Sequence, residues 1–292
     1  MSGPAAPPDV VVTAVGERRD LVIGVIRGAR RRLALSLFRC NDQTIFDELT
    51  EACARGVQVD VLVTSRSGGG RKRLKKLWEA LEATGATLHP HTDAVVKYHA
   101  KYLVADEGPA LVASLNFTRK CFANTIDAIV VTHDPAVVSG LRRLLIADAG
   151  GGPMPEDLSP RLIVGPERAR KQFTAIIEQA SASIRLIDRK AADPALMALL
   201  HARSAGGVRV EVYGGKRLCG LESHGKIMLI DDRLAVIGGL SLNPMSLDFR
   251  REVAITMTEP AAVAEVARLF AQVADSEAER ARDEADNGEP AC

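Results

Sequence analysis

A chain that carries one pattern twice folds either as two similar units or as one unit built from two halves. In these 292 residues, VVVTAVGERRDLVIGVIRGARRRLALSLF aligns with RLIVGPERARKQFTAIIEQASASIRLID. The alignment places Val22 on Phe173, Ile26 on Ile177, Ala29 on Ala180 and Leu35 on Leu186, an offset of 151. GVQVDVL from Gly56 falls on GVRVEVY from Gly207 at the same offset. Further along, His99 to His224 and Asp134-Pro135 to Glu259-Pro260 keep an offset of 125. The second half therefore lacks 26 residues, SRSGGGRKRLKKLWEALEATGATLHP, that interrupt the first.

Within the duplicated region one short pattern recurs: His-x-Lys, then four residues, then Asp. The copies are His99, Lys101 and Asp106 in YHAKYLVAD, and His224, Lys226 and Asp231 in SHGKIMLID. A three-residue pattern is weak by itself. Two copies at matching places in a duplicated chain are specific.

The alternation of elements implies α/β layering with a largely parallel sheet. Amphipathic spacing predicts helices over 17–32, 43–55, 71–84 and 135–147, with strands at 33–38 and 57–63. KYLVAD and ALVAS around Glu107-Gly108-Pro109 read as a strand pair, so the sheet is mixed, and DAIVVT reads as a further strand. The Gly- and Pro-rich stretch 149–160 is the linker. This divides the chain into a first half, 1–150 with a basic insert at 65–90, a second half, 151–275, and a polar, acidic, disordered tail, 276–292.

A net charge of +1 supplies no whole-chain field for nucleic acid. Five widely spaced cysteines without CxxC or Cys/His spacing support neither a disulfide framework nor a zinc site. His89 and His91 in HPH read as a surface loop rather than as metal ligands. No apolar run approaches a membrane span, and MSGPAAPPDV lacks the charge and apolar pattern of a signal peptide. A cytoplasmic protein is expected, with peripheral membrane contact still open.

Residues two apart in a strand share a face. Each motif thus sets an imidazole beside an ammonium group. If the halves pack face to face, two of each converge on one pocket suited to an anionic tetrahedral group. Lysines there neutralise charge growing on phosphoryl oxygens. One histidine can attack phosphorus while the other protonates the leaving oxygen. No carboxylate cluster with metal-ligand spacing accompanies them, so metal-free chemistry without a cofactor is expected. An acid recurs 28 residues after each histidine, Asp127 and Glu252. A carboxylate on one ring nitrogen fixes the tautomer and aim of the other. Polar groups also follow each motif, in ASLN (Ala113 to Asn116) and GGLSLN (Gly238 to Asn243).

At these residues the chain resembles the phospholipase D superfamily, whose active site carries the H-x-K-x4-D element twice. The family's Gly-Ser-x-Asn element appears as Ala113-Ser114-Leu115-Asn116 in the first half and as Gly238-Gly239-Leu240-Ser241 in the second. LSLNPMSLDFRREV resembles the corresponding stretch of cardiolipin synthase-like members. The resemblance covers about residues 10–275. It implies two fused α/β sandwiches with pseudo-twofold symmetry and the site at their interface. It also implies a phosphohistidine intermediate released by water or an alcohol. His99 and His224 become nucleophile and general acid, with His99 favoured as nucleophile because its half has the fuller pattern. Lys101, Lys226, Ser114 and Asn116 bind phosphate, with Ser241 or Asn243 compensating for the altered second element. Asp127 and Glu252 orient the histidines, and Asp106 and Asp231 are structural.

For the substrate, a phospholipid head-group phosphodiester is the first reading, with hydrolysis or transfer to an alcohol as the outcome. A nuclease is the second, supported by Arg66, Arg71, Lys72, Arg73, Lys75, Lys76 and Trp78 of the insert as a grip on phosphates. A phosphate-binding module with weak activity is the third. Gly68 to Gly70 lack the Gly-Lys-Ser/Thr of a P-loop. Two motif halves in one chain make a monomer sufficient for one site.

Overall fold

The computed structural model describes residues 7–66 and 70–286. Two large sheets form its centre. In the first, the strand Arg32–Leu37 runs parallel to Gln58–Thr64, which runs parallel to Thr87–His91. On the other side of Arg32–Leu37 the strands Tyr102–Ala105, Ala110–Ala113, Ile129–Thr132 and Val10–Val12 follow, all antiparallel. The second sheet repeats this plan one strand shorter. Ser183–Ile187 pairs in parallel with Arg209–Tyr213, and Lys226–Ile230, Leu234–Gly238, Val253–Met257 and Leu162–Val164 add antiparallel partners. The strand missing from the second sheet is the counterpart of Thr87–His91, which the insert supplies.

Helix-linked neighbours are parallel, as strand–helix alternation predicts. The expectation of mostly parallel sheets is corrected. The hairpin that follows each His motif inserts antiparallel strands, so antiparallel pairings predominate in both sheets.

Helices Arg18–Gly28 and Gln43–Ala54 cover one face of the first sheet, and Ala169–Gln179 and Pro194–Ala205 cover one face of the second. Between the sheets lies a shared apolar core that includes Val112 and Val130 from the first half and Ile237, Val253 and Ile255 from the second. Helices Pro135–Gly150 and Pro260–Asp286 also pack into it, through Leu141, Leu144, Val266 and Phe270. Burying a fused core of this kind fixes the halves against each other.

The insert forms the helix Arg71–Glu82 and the strand Thr87–His91. Leu77 and Leu81 are buried, Trp78 packs beside them, and the basic side chains from Arg71 to Lys76 are exposed. His89 and His91 are not in a loop. They lie on that strand, His89 bonded to Asp60 at 2.8 Å and His91 buried against Tyr98. Gly68 and Gly69 lie outside the described residues. The final helix continues to Asp286, ten residues past the point where a disordered tail is expected. The run SEAERARDEAD is rich in Ala, Glu and Arg, which are strong helix formers. It extends a helix already anchored in the core, with Glu277 and Arg280 paired at 2.8 Å. Residues 287–292 lie outside the described part. Among the described residues no helix is long and apolar enough to cross a membrane.

Candidate active site

Two short parallel bridges join the halves where the His motifs begin. Lys97–Tyr98 pairs with Arg250–Arg251, matching Tyr98 with Arg251. Leu221–Ser223 pairs with Thr125–Ile126, matching Ser223 with Ile126. Each bridge continues by one more backbone bond, His99 N–H to Arg251 C=O at 2.9 Å and Gly225 N–H to Ile126 C=O at 2.7 Å. The next residues in register are therefore His99 beside Glu252 and His224 beside Asp127. Each histidine meets the carboxylate of the other half, which equal spacing within each half does not reveal.

The contacts follow from that register. Nδ1 of His99 donates to Glu252 Oε1, and Nδ1 of His224 lies 3.0 and 3.1 Å from the two oxygens of Asp127. Burial pushes both carboxyl groups up. The adjacent imidazoles and the hydrogen bonds outweigh it, so both stay below the ordinary carboxylate range. Ser114 and Thr125 each donate to Asp127 at 2.6 Å, and Ser246 donates to Glu252. With Nδ1 engaged, Nε2 is the ring atom left for chemistry in each half.

Lys101 and Lys226 each donate to the carbonyl of the histidine two residues earlier. Burial, then the charge of Lys101, depresses the His99 pKa to about 3, so the ring is neutral at physiological pH. Burial also lowers Lys101 to about 7, with Lys226 and Arg250 adding to the shift against the pull of Glu252. The ring of Phe38 lies against His99 with centroids 4.1 Å apart.

His99, His224 and Lys226 line a single cavity of about 560 Å³ at the junction of the halves. Asn116 and Ser241 also reach its wall. Ser114 and Asn243 do not fit their expected place on the phosphate. Ser114 is fully buried with its hydroxyl on Asp127. Asn243 caps the helix Pro244–Phe249 through the Ser246 N–H at 3.0 Å and donates to Ser241 Oγ. Ser241 in turn donates to Asp188 at 2.8 Å.

Asp106 and Asp231 occupy equivalent turns. Asp106 accepts backbone N–H bonds from Arg30, Arg31 and Arg32 at 2.8 to 2.9 Å. Asp231 accepts them from Ser181, Ala182 and Ser183 at 2.7 to 2.8 Å. Both have left-handed backbones, φ 42° and 52°. The last residue of the motif thus ties the turn after the strand that follows the histidine to the start of the neighbouring strand.

Sequence reasoning missed Asp188, Arg189, Lys190 and Arg250 on the cavity wall, and Ser246 behind Glu252. Ser246 takes over in the second half what Ser114 does in the first, because the aligned residue there is Gly239. Its only signal is its place six residues before Glu252. One group of possible metal donors also touches the site: Cys121, Asp127 and His224 have ligand atoms within 4.8 Å of one another. A metal there would displace the hydrogen bond that aims His224.

A family model for the cardiolipin synthase, PLD-like domain matches residues 22–148 and 161–274. Among solved structures, phosphatidylserine synthase from Haemophilus influenzae Rd KW20 superposes with a TM-score of 0.75 at 12% identity, covering 93% of this chain and 88% of that one. Polyphosphate kinase from Porphyromonas gingivalis superposes with a TM-score of 0.74 at 18% identity, covering 89% of this chain. This chain spans only 46% of the kinase. At these identities the likeness is one of fold. No curated protein matches the chain. The family match over both halves, on this fold, makes the chain a member of the cardiolipin synthase, PLD-like family within the phospholipase D superfamily, a group of phosphodiesterase and phosphatidyltransferase type.

Proposed function

We propose that this chain cleaves or exchanges a phospholipid head-group phosphodiester without a metal, through a phosphohistidine on His99. The observation that carries the reading is the pair of imidazoles on one cavity, each aimed through Nδ1 by a buried carboxylate of the opposite half. A nucleophile must be unprotonated, and His99 is neutral at physiological pH. Its Nε2 forms a bond to phosphorus as the bond from phosphorus to the leaving oxygen breaks. His224 gives its Nε2 proton to that oxygen. Water or an alcohol then returns a proton to His224, attacks phosphorus and releases His99. Lys226, Asn116 and Ser241, on the cavity wall, meet the phosphoryl oxygens, and Lys101, buried beside His99, adds its charge from behind the wall.

The family description and the fold likeness to a phosphatidylserine synthase support a phospholipid substrate. The nuclease reading loses its main support, because the exposed basic side chains of the helix Arg71–Glu82 do not line the cavity; among the described residues of the insert, Arg66 alone does.

The test is turnover with EDTA on a chromogenic phosphodiester, on phosphatidylcholine and phosphatidylglycerol vesicles, and on single- and double-stranded DNA. Quenching in alkaline detergent should trap a phosphoenzyme, stable in base and lost in acid, in the wild type and in His224→Ala, and none in His99→Ala. Turnover that survives His99→Ala, or that EDTA abolishes, would overturn the assignment. Cleavage of DNA alone would replace the lipid reading with the nuclease one.

A further inference from the structure

A phosphodiester carries one negative charge, and Lys226 on the wall with Lys101 buried beside His99 suffices to meet it. The cavity wall bears much more. Arg39, Arg66, Lys97, Arg189, Lys190 and Arg250 also line it. The acids on the same wall are largely engaged elsewhere. Glu252 serves His99 and Ser246 and lies 3.9 Å from Arg250, Asp188 accepts from Ser241 and from the Leu242 N–H, and Glu222 pairs with Lys120 at 2.5 Å. In a chain whose net charge is only +1, this is a local concentration of cations, not a general one.

The repeat shows where the surplus sits. At the offset of 151, Lys190 corresponds to Arg39, and Arg189 corresponds to Phe38. At the offset of 125, Arg250 corresponds to Thr125. Phe38 lies against His99, and the Thr125 hydroxyl points into the core at Asp127. Two cations of the second half therefore replace an aromatic ring and a hydroxyl of the first. The first half adds Arg66 from its insert and Lys97, which at the offset of 125 corresponds to Glu222. The twofold satisfies the reacting phosphate, and both halves add charge to it, with Arg189, Lys190 and Arg250 together on the second half's side. The cations there also feel one another. Lys190 is lowered by burial and then by the charges of Lys226, Arg250 and Arg189. Like charges held this close are costly until an anion joins them.

We propose that Arg189, Lys190 and Arg250 form a second anion subsite beside the reacting phosphate. The substrate is then a phosphodiester whose reacting phosphorus is linked to a further phosphate, a diphosphate compound. This deepens the proposed function and rests on its placement of the reacting phosphate between His99 and His224.

Calorimetric titration of the full chain with inorganic phosphate and with pyrophosphate tests the subsite without any turnover. Pyrophosphate should bind about tenfold or more tightly. The double variant Arg189→Ala/Lys190→Ala should bring the two ligands to within about twofold of each other. A more highly charged ligand favours any basic surface, so Lys72→Ala/Lys75→Ala, on the exposed helix away from the cavity, serves as control and should keep the full preference. Equal affinity in the wild type, or equal loss in the control, would overturn the subsite. A missing phosphohistidine with the preference intact would overturn the reaction but leave the subsite standing. ADP and tripolyphosphate then separate the two sources of a diphosphate. A gain for tripolyphosphate over pyrophosphate points to an inorganic chain, and a gain for ADP points to a diphosphate ester.

Discussion

Glu252 accepts the Nδ1 proton of His99 from the opposite half of the fold, across 153 residues of sequence. Asp127 does the same for His224. The site is therefore a pair of crossed imidazole–carboxylate units, and each unit should fail in its own way. Glu252→Gln disorients the nucleophile, so turnover should fall about 10²–10⁴-fold on every phosphodiester. Asp127→Asn disorients the acid. Nitrophenolate leaves with little need of a proton, whereas an alkoxide does not. Loss in Asp127→Asn should therefore be severe on alkyl phosphodiesters and at least about tenfold smaller on a nitrophenyl ester. Equal losses on both substrates would refute the division of roles.

The proposed reacting groups are legible in the sequence as residue types, because a motif fixes type and spacing. His99, His224 and Lys226 reach one cavity, although His99, Lys101 and His224 stand in the breaks between strands rather than within one, and Lys101 is buried beside His99. Asp106 and Asp231 hold turns. What spacing cannot carry is which half a side chain faces. The crossed pairing depends on the two short parallel bridges, whose strands of two and three residues have no periodicity to read. Substitution of one residue by a non-aligned one is equally silent, as Ser246 shows by standing in for Ser114. Sheet direction was hidden because alternation of helices and strands reports crossovers, not the hairpins between them.

Lys101 gives the site a distinctive pH signature. Its pKa is lowered to about 7, against an ordinary lysine value of about 10.4. Between these values the unfolded chain binds a proton that the native chain does not, so stability rises with pH across that window. Lys101→Met removes the buried charge. It should raise the melting temperature most at pH 6, with the gain fading towards pH 10, while phosphate binding is lost. In the wild type, phosphate affinity should fall as pH rises above about 7, and binding there should take up a proton. Calorimetry in buffers of different ionisation enthalpy reads that proton directly. A pH-independent stability gain in Lys101→Met would show that the ammonium is not desolvated.

His99 acts on acid stability. Burial lowers its pKa to about 3, so from about pH 6.5 down to about 3 the unfolded chain binds a proton that the native chain refuses. Stability should fall through this range. His99→Asn, which does not titrate, should flatten part of the slope in urea midpoints measured from pH 7 to pH 4. An unchanged slope would mean that the ring is solvated in the native state.

Asp231 tests the structural role of the third motif residue. Its carboxylate collects three successive backbone N–H bonds, which hold its pKa far below the usual range despite some desolvation. The stabilisation is present above the unfolded pKa of about 3.9 and is lost as pH falls below it. Asp231→Ala should cost about 2–3 kcal/mol at pH 7. Asp231→Asn should cost less, because asparagine tolerates the left-handed backbone and keeps an acceptor. In both variants the folded fraction at low temperature should turn over at the wild-type rate. A catalytic defect without a change in urea midpoint would give Asp231 a chemical role instead.

Gly225 separates the two motifs, since the first has Ala100 at the same position. A Cβ on Gly225 would stand 2.8 Å from the Ile126 carbonyl oxygen and 3.2 Å from Asp127 Cα, both backbone atoms of the opposing strand. Neither can yield without opening the bridge that sets His224 beside Asp127. Gly225→Ala should therefore cost about 1–3 kcal/mol in stability and turn over alkyl phosphodiesters more slowly than nitrophenyl esters, as Asp127→Asn does. The reciprocal Ala100→Gly meets no such wall and should cost only about 0.5–1 kcal/mol, from the added freedom of the unfolded chain. Urea denaturation with paired kinetics on the two ester types measures both. If Gly225→Ala matches the wild type in stability and in its leaving-group dependence, contact across the bridge is not what aligns His224.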